Sequence, residues 1–193
     1  ESAAELGELN DQMAVRRAKL EALREEGRTP YENRVVPTHS AAQVVGEFER
    51  LEGTEVVLAG RLRALRSHGK ATFADLQDGS GRIQLFAALD ALGEEKYRAF
   101  GELDIGDVIG VRGDVFRTRR GEISVRLGEF LLLAKALRPL PEKWHGLKDV
   151  EQRYRRRYLD LIVNPDVRNV FLARSRVIAS IRATLTAKGF IEV

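Results

Sequence analysis

Residues 70–86 read KATFADLQDGSGRIQLF, and the fold follows from this stretch. Two runs of alternating apolar and polar residues flank Asp78-Gly79-Ser80-Gly81. Asp-Gly in that position is a strong hairpin signal, because glycine adopts the positive φ that tight turns need. Successive side chains of a strand point to opposite faces. Ala74 and Leu76 share the apolar parity of the first strand, and Phe73, Asp75 and Gln77 share the other. In the second strand Ile83 and Leu85 are apolar, with Arg82 and Gln84 opposite. Phe73 therefore stands on the polar face beside Gln84. An aromatic ring among arginines and glutamines is what stacking on a nucleic-acid base requires. The alternative is a core phenylalanine whose parity is broken by a bulge.

Strands continue on both sides of the hairpin. From Glu55, the residues Val56, Leu58, Leu62 and Ala64 alternate with Arg61 and Arg63, so the apolar set faces a core and the arginines face outward. Arg66-Ser67-His68-Gly69 reads as a turn. Tyr97, Phe100 and Leu103 lie at helical spacing in a short helix over Gly93 to Leu103. A fourth strand is expected from Val108 to Thr118. A fifth runs from Glu122 to about Leu137, with Ile123, Val125 and Leu127 on one face. Five strands with a helix between the third and fourth give the order of an oligonucleotide-binding (OB) barrel, whose ligands lie across the second and third strands.

Helices flank this barrel. Leu6 to Gly27 carries Leu9, Met13, Val15, Leu20 and Leu23 among Arg16, Arg17, Lys19 and Arg24. It is either a packing helix or a basic helix laid against phosphates. Ser40 caps a second helix, with Gln43 completing a capping box and Val44, Val45, Phe48 and Leu51 as its buried face. Beyond the barrel, Pro139 to Lys148 is a linker in which Trp144 and His145 are packing residues. Asp149 to Ile162 is a helix with Tyr154, Tyr158 and Leu161 on one stripe. Asn164 is then a cap, with Pro165 at the first position of a long helix to Lys188. Phe190 to Val193 reads as a strand just beginning, as if the chain were cut there. The fold class is α+β, divided as a helical extension (1–54), an OB barrel (55–138), a linker and helix (139–164) and a last helical segment (165–193).

Composition narrows the function classes. The chain has 193 residues, 44% hydrophobic, enough for a buried core. No cysteine is present, which excludes disulfides and thiolate metal sites and points to a reducing compartment, the cytoplasm. No apolar run approaches the ~20 residues that span a bilayer, and a membrane is not an expected partner. The net charge of +3 is unevenly placed. Arg61, Arg63, Arg66 and Lys70 occur within one acid-free run, and a second basic cluster includes Arg153, Arg155, Arg156 and Arg157. Such patches are either solvated surface or attractors of phosphate. His39 and His68 are loop residues with no ligand set around them.

Nearly the whole chain resembles the N-terminal part of bacterial lysyl-tRNA synthetases, class II enzymes of the aspartyl, asparaginyl and lysyl subgroup. The resemblance rests on MAVRRAKLEALREEG, GKATFADLQDGSGRIQLF, LDIGDVIGVRG, ALRPLPEKWHGL and EQRYRRRYLDLIVNP. RSRVIASIRATLTAKGFIEV resembles the class II motif 1 helix running into its strand, which makes 165–193 the start of a catalytic domain.

The resemblance implies an anticodon-reading barrel. By it Phe73 is the stacking residue, Gln84 the base reader, Arg66 an arginine of the site, and Glu122 a further contact. Parity instead favours Arg61 and Arg63 on the binding face, and Arg63 is kept as a second choice. The implied partner is lysine tRNA with a uridine-rich anticodon, touched on its backbone by the first helix. The parent enzyme is implied to be a homodimer that uses ATP and Mg2+. Motifs 2 and 3, which hold the ATP-gripping arginines, are not in these residues. The chain is therefore expected to bind tRNA without catalysis, and with no cofactor or metal of its own. The other readings are a freestanding tRNA-binding paralogue and an aspartyl or asparaginyl enzyme.

Overall fold

The computed structural model describes residues 3–141, 147 and 149–193, in two compact units, Glu1–Pro139 and Leu140–Val193. Trp144 and His145 lie outside the described residues.

In the first unit, helix α1 covers Ala3–Glu25, α2 Ala41–Gly46 and α3 Phe48–Leu51. Strands β1 (Glu55–His68), β2 (Ala71–Gln77) and β3 (Arg82–Ala88) follow, then α4 (Leu89–Leu92) and α5 (Glu94–Gly101), and finally β4 (Val108–Arg117) and β5 (Ile123–Ala134). The strands close into a barrel in the order β1-β2-β3-β5-β4, with only β3 and β5 parallel. This is the expected OB topology. Its interior is filled by alternate apolar residues, among them Leu58, Leu62, Leu76, Leu85, Ile109, Val125 and Leu127. Phe100 of α5 plugs one end, fully buried and edge-on to Phe130 at 5.2 Å. Val44, Phe48 and Leu51 join the same core, but Val45 faces solvent.

The β2–β3 hairpin closes by a different device from the one its sequence suggests. Neither Gly79 nor Gly81 takes a positive φ. Instead Asp78 folds its carboxylate back, and Oδ1 accepts from the Ser80 and Gly81 amides at 2.7 and 2.9 Å. Such a side-chain turn satisfies the backbone without left-handed geometry. Oδ2 accepts from the Ala41 amide at 2.7 Å, so the hairpin tip also docks the start of α2. The capping box of Ser40 and Gln43 completes that helix start.

Basic residues of α1 do two jobs. Arg16 is buried and donates to the carbonyls of Ala136 (3.0 Å) and Ile105 (3.1 Å). Lys19 donates to Asp104 at 2.9 Å. Leu20 is buried and Leu23 packs on the core, whereas Val15, Arg17 and Arg24 are exposed; the side chain of Leu9 is not described. Lys135 is buried and bridges Asp104 and Asp107. Burial works to raise the Asp104 pKa, but hydrogen bonds and charge from Lys135 and Lys19 outweigh it and hold the carboxyl below its ordinary value.

The second unit holds α6 (Val150–Arg155), α7 (Arg157–Val163) and α8 (Pro165–Ala187). The expected single helix over 149–162 breaks at Arg156, whose backbone leaves the helical region (φ −117°, ψ 51°). Asp160 is fully buried at this corner and binds Arg153 at 3.1 Å, Asn164 at 2.6 Å and Arg157. Asn164 thus spends its side chain on Asp160 rather than capping α8, while Pro165 occupies the first turn as expected. Tyr154 and Tyr158 are exposed, and residues 190–193 form no strand.

Candidate nucleic-acid interface

The outer face of β1, β2 and β3 gathers the expected residues into two adjacent rungs. Phe73, Asp75 and Gln77 are half-buried on this face, while Ala74 and Leu76 between them are buried within the barrel. The parity read from the sequence holds throughout β2 and β3. In the first rung Arg66 of β1 faces Phe73, Phe73 faces Phe86 of β3, and Phe86 faces Arg126 of β5. In the second, Ala64 faces Asp75, Asp75 faces Gln84, and Gln84 faces Ser124 of β5.

A bulge in β1 decides which arginine joins the face. The register shifts between Leu62 and Ala64, so Arg63 is the unpaired extra residue. A single inserted residue reverses the sides of everything after it. Leu62 pairs with Leu76 in the core, yet Ala64 pairs with Asp75 and Arg66 with Phe73 on the outer face. Leu65 turns inward against the core. Ala64, expected inside, is therefore displaced to the outer side. Residues 66–68, expected as a turn, belong to the strand, and Gly69 (φ 59°) makes the reversal. Gly60, just upstream, lies so close to β2 that a Cβ there would sit 2.7 Å from the Gln77 carbonyl oxygen.

Arg66, Phe73 and Gln84 are each held by a neighbour. Arg66 forks onto Asp75, donating from Nη2 at 2.7 Å and Nη1 at 3.2 Å. That bond raises the guanidinium above its ordinary pKa, against the smaller effect of burial. The Phe73 ring leans on Phe86, with centroids 5.1 Å apart and planes at 44°. Phe86 meets Phe116 edge-on at 5.8 Å, and Arg126 covers Phe116 at 4.9 Å. Gln84 Oε1 accepts from the buried Ser124 hydroxyl at 2.9 Å, which turns its NH2 group away from the protein anchor. Glu122 sits in the β4–β5 turn, its amide and carbonyl both bonded to Thr118 and its side chain exposed. Only its backbone approaches the face, through a weak 3.4 Å contact from Ser124.

Arg66, Phe73 and Gln84 are thus brought together, Glu122 is at the margin, and Arg63 is buried apart from them. Phe86 and Phe116 support the ring and were not singled out from the sequence. Phe86 shares the parity of Gln84, which was signal enough to find it. Among the described residues no group of three His, Asp or Glu side chains is placed to hold a metal ion.

Residues 56–133 match the family of OB-fold nucleic acid binding domains, and residues 149–193 match the class II tRNA synthetases for D, K and N. The closed five-stranded barrel is thus an OB-fold anticodon-binding domain, and the helices after it begin a class II synthetase catalytic domain. The lysine–tRNA ligase of Moorella thermoacetica is 60% identical over 184 residues, covering 95% of this chain and 38% of that protein. The lysine–tRNA ligase of Pelotomaculum thermopropionicum is 54% identical over 186 residues (96% and 37%), and that of Bacillus subtilis 49% over 193 (96% and 39%). Nearly the whole chain is thus similar to these lysine–tRNA ligases, and it spans the N-terminal 37–39% of their length.

Proposed function

We propose that this chain is the tRNA-recognising part of a lysine–tRNA ligase, and that its barrel face reads the anticodon of lysine tRNA. One observation carries the reading: Phe73 faces outward beside a glutamine whose carbonyl is already occupied by Ser124. A flat base stacks on the ring, and the free Gln84 NH2 donates to a carbonyl at the base edge. Uracil offers two such carbonyls. Arg66, fixed in a fork by Asp75, presents a planar cation at the edge of the same base or its phosphate. Glu122 takes a peripheral place at the turn. The exposed Arg17 and Arg24 of α1 lie toward the tRNA backbone, while Arg16 and Lys19 serve to dock the helix.

In the whole enzyme, lysine is activated by ATP with Mg2+ and passed to the 3′ end of the tRNA. Recognition belongs to this chain, and that chemistry belongs to residues outside it. The dimer forms through α8, where Val170, Val177, Ile181 and Leu185 are exposed apolar residues. The enzyme works in the cytoplasm; no described helix is long and apolar enough to cross a membrane. The match of residues 149–193 to a catalytic family favours this reading over a freestanding binding module.

The test is a binding titration of the chain with an RNA stem-loop carrying UUU, against the same stem-loop carrying GUC. Tighter binding of UUU is expected. Equal affinity would remove the anticodon-reading role, and preference for GUC would favour the aspartyl enzyme.

A further inference from the structure

Arg63 is a buried cation that the face described above does not use. It is 9% exposed, and neither Nε nor Nη1 has a hydrogen-bond partner. Buried guanidinium groups are normally paired, because desolvating an unpaired charge is costly. The surroundings of Arg63 add to that cost. Arg61, Gln77 and Arg82 occupy one rung across β1, β2 and β3. Burial, then the charges of Arg82 and Arg61, hold Arg63 below its ordinary pKa. Arginine nevertheless keeps its proton in proteins. Arg61 donates to the Gly106 carbonyl at 2.7 Å, which leaves its charge uncompensated. Among the described residues no carboxylate forms an ion pair with Arg61, Arg63 or Arg82. No bond holds Arg63 Nε or Nη1 in place, so the fork can turn outward without breaking one.

We propose that Arg63, Arg61 and Arg82 form a phosphate-binding site at the end of the β1–β2–β3 face, taking a backbone phosphodiester of the RNA strand whose bases lie over Phe73 and Gln84. The proposal rests on the anticodon-reading function. It adds a contact that supplies affinity and register without reading sequence. The site lies four residues along β2 from Phe73, about 13 Å at ~3.3 Å per residue, so it takes a phosphate of a neighbouring nucleotide. An unpaired Arg63 is then a stability cost retained for binding, and the bound phosphate relieves it.

The test uses the 193-residue chain, the UUU stem-loop, and inorganic sulfate as a second probe. Arg63→Met keeps the bulk of the side chain and removes the charge. It is expected to raise the Tm of the RNA-free chain, since apolar replacement of a buried charge stabilises. It is also expected to weaken RNA binding about tenfold, the scale of one charge-assisted hydrogen bond. The slope of log affinity against log salt should shrink by about 0.7, one phosphate's share, with the UUU preference unchanged. Arg63→Lys should keep the slope. Arg82→Gln alters an exposed residue, so it carries the slope test if Arg63→Met does not fold. Sulfate, against chloride at equal low ionic strength, should raise the Tm of the parent chain more than that of Arg63→Met, since exclusion of sulfate from the surface stabilises both alike. If the chain binds no stem-loop, the anticodon reading falls, and the sulfate response alone decides the anion site. An unchanged salt slope in both charge-removing variants, or a sulfate response equal in the parent and Arg63→Met, overturns the proposal.

Discussion

Replacing Phe73 separates the two things its ring does. Within the protein the ring leans on Phe86 at 5.1 Å, a contact worth about 0.5–1.5 kcal/mol beyond burial. The side chain is only half-buried and the core beneath it, Ala74, Leu76 and Leu85, is independent of it. Phe73→Ala should therefore cost about 1–2 kcal/mol of stability and leave the barrel folded. Toward RNA, a stacked base is worth ~1–3 kcal/mol, or about 5- to 150-fold in affinity. Phe73→Leu keeps apolar bulk against Phe86 but has no π face. It should resemble the parent in Tm and the alanine variant in RNA binding. Phe73→Tyr retains the face and should bind within about threefold of the parent. The assay is fluorescence anisotropy with the UUU stem-loop at fixed salt, beside thermal unfolding of each variant. The salt slope should not change, because stacking neutralises no phosphate. Parent-like affinity in Phe73→Leu would refute the stacking argument.

Asp75 holds Arg66 but also places a carboxylate on the face proposed to take RNA. Asp75→Ala should lower the preference for UUU while raising total RNA affinity at low salt, with a stability change under about 1 kcal/mol because the pair is partly exposed; titration of matched and mismatched stem-loops reads both. Asp104, held low by Lys135 and Lys19, contributes stability above its unfolded pKa and loses it as pH falls through the depressed folded value. Asp104→Asn should be less stable at pH 7, and its Tm gap from the parent should close below about pH 4. Asp78→Ala removes the acceptor of the hairpin turn and of the Ala41 amide. A loss of about 1–2 kcal/mol in urea unfolding is expected, on the scale of a lost helix cap. Asp160→Ala leaves Arg153 and Arg157 without their shared carboxylate, and amide exchange over 150–163 should quicken.

What could be read from the sequence was set by how local its cause is. Alternation in β2 and β3 is a property of neighbouring residues, and it placed Phe73, Asp75 and Gln84 outward correctly. Phe86 was equally legible and was passed over. The bulge at Arg63 leaves no mark in composition, because Leu62 and Ala64 look like members of one apolar stripe on either side of it. Arg66 could be favoured over Arg63 only through resemblance. The pairing of Arg16 with carbonyls more than 80 residues away is likewise non-local, so α1 stayed open between a packing helix and a basic helix laid against phosphates. At the hairpin, Asp-Gly gave the right reversal for the wrong reason, since Asp78 acts through its carboxylate. At Asn164 a buried acid outcompeted the cap.

The bulge in β1 makes this face sensitive to a kind of change that substitution studies overlook. A strand is read in a two-residue frame, and Arg63 is a frameshift within it. Deleting that one residue would leave Ala64, Leu65 and Arg66 opposite Asp75, Ala74 and Phe73 as before, so the face would survive in a strand without the bulge. Flattening the bulge with every residue kept would instead turn Arg66 into the barrel and Leu65 out of it. The outer row would then lose its cation and the core would gain one. A barrel engineered to carry this face must either hold Arg63 out of the ladder or omit it.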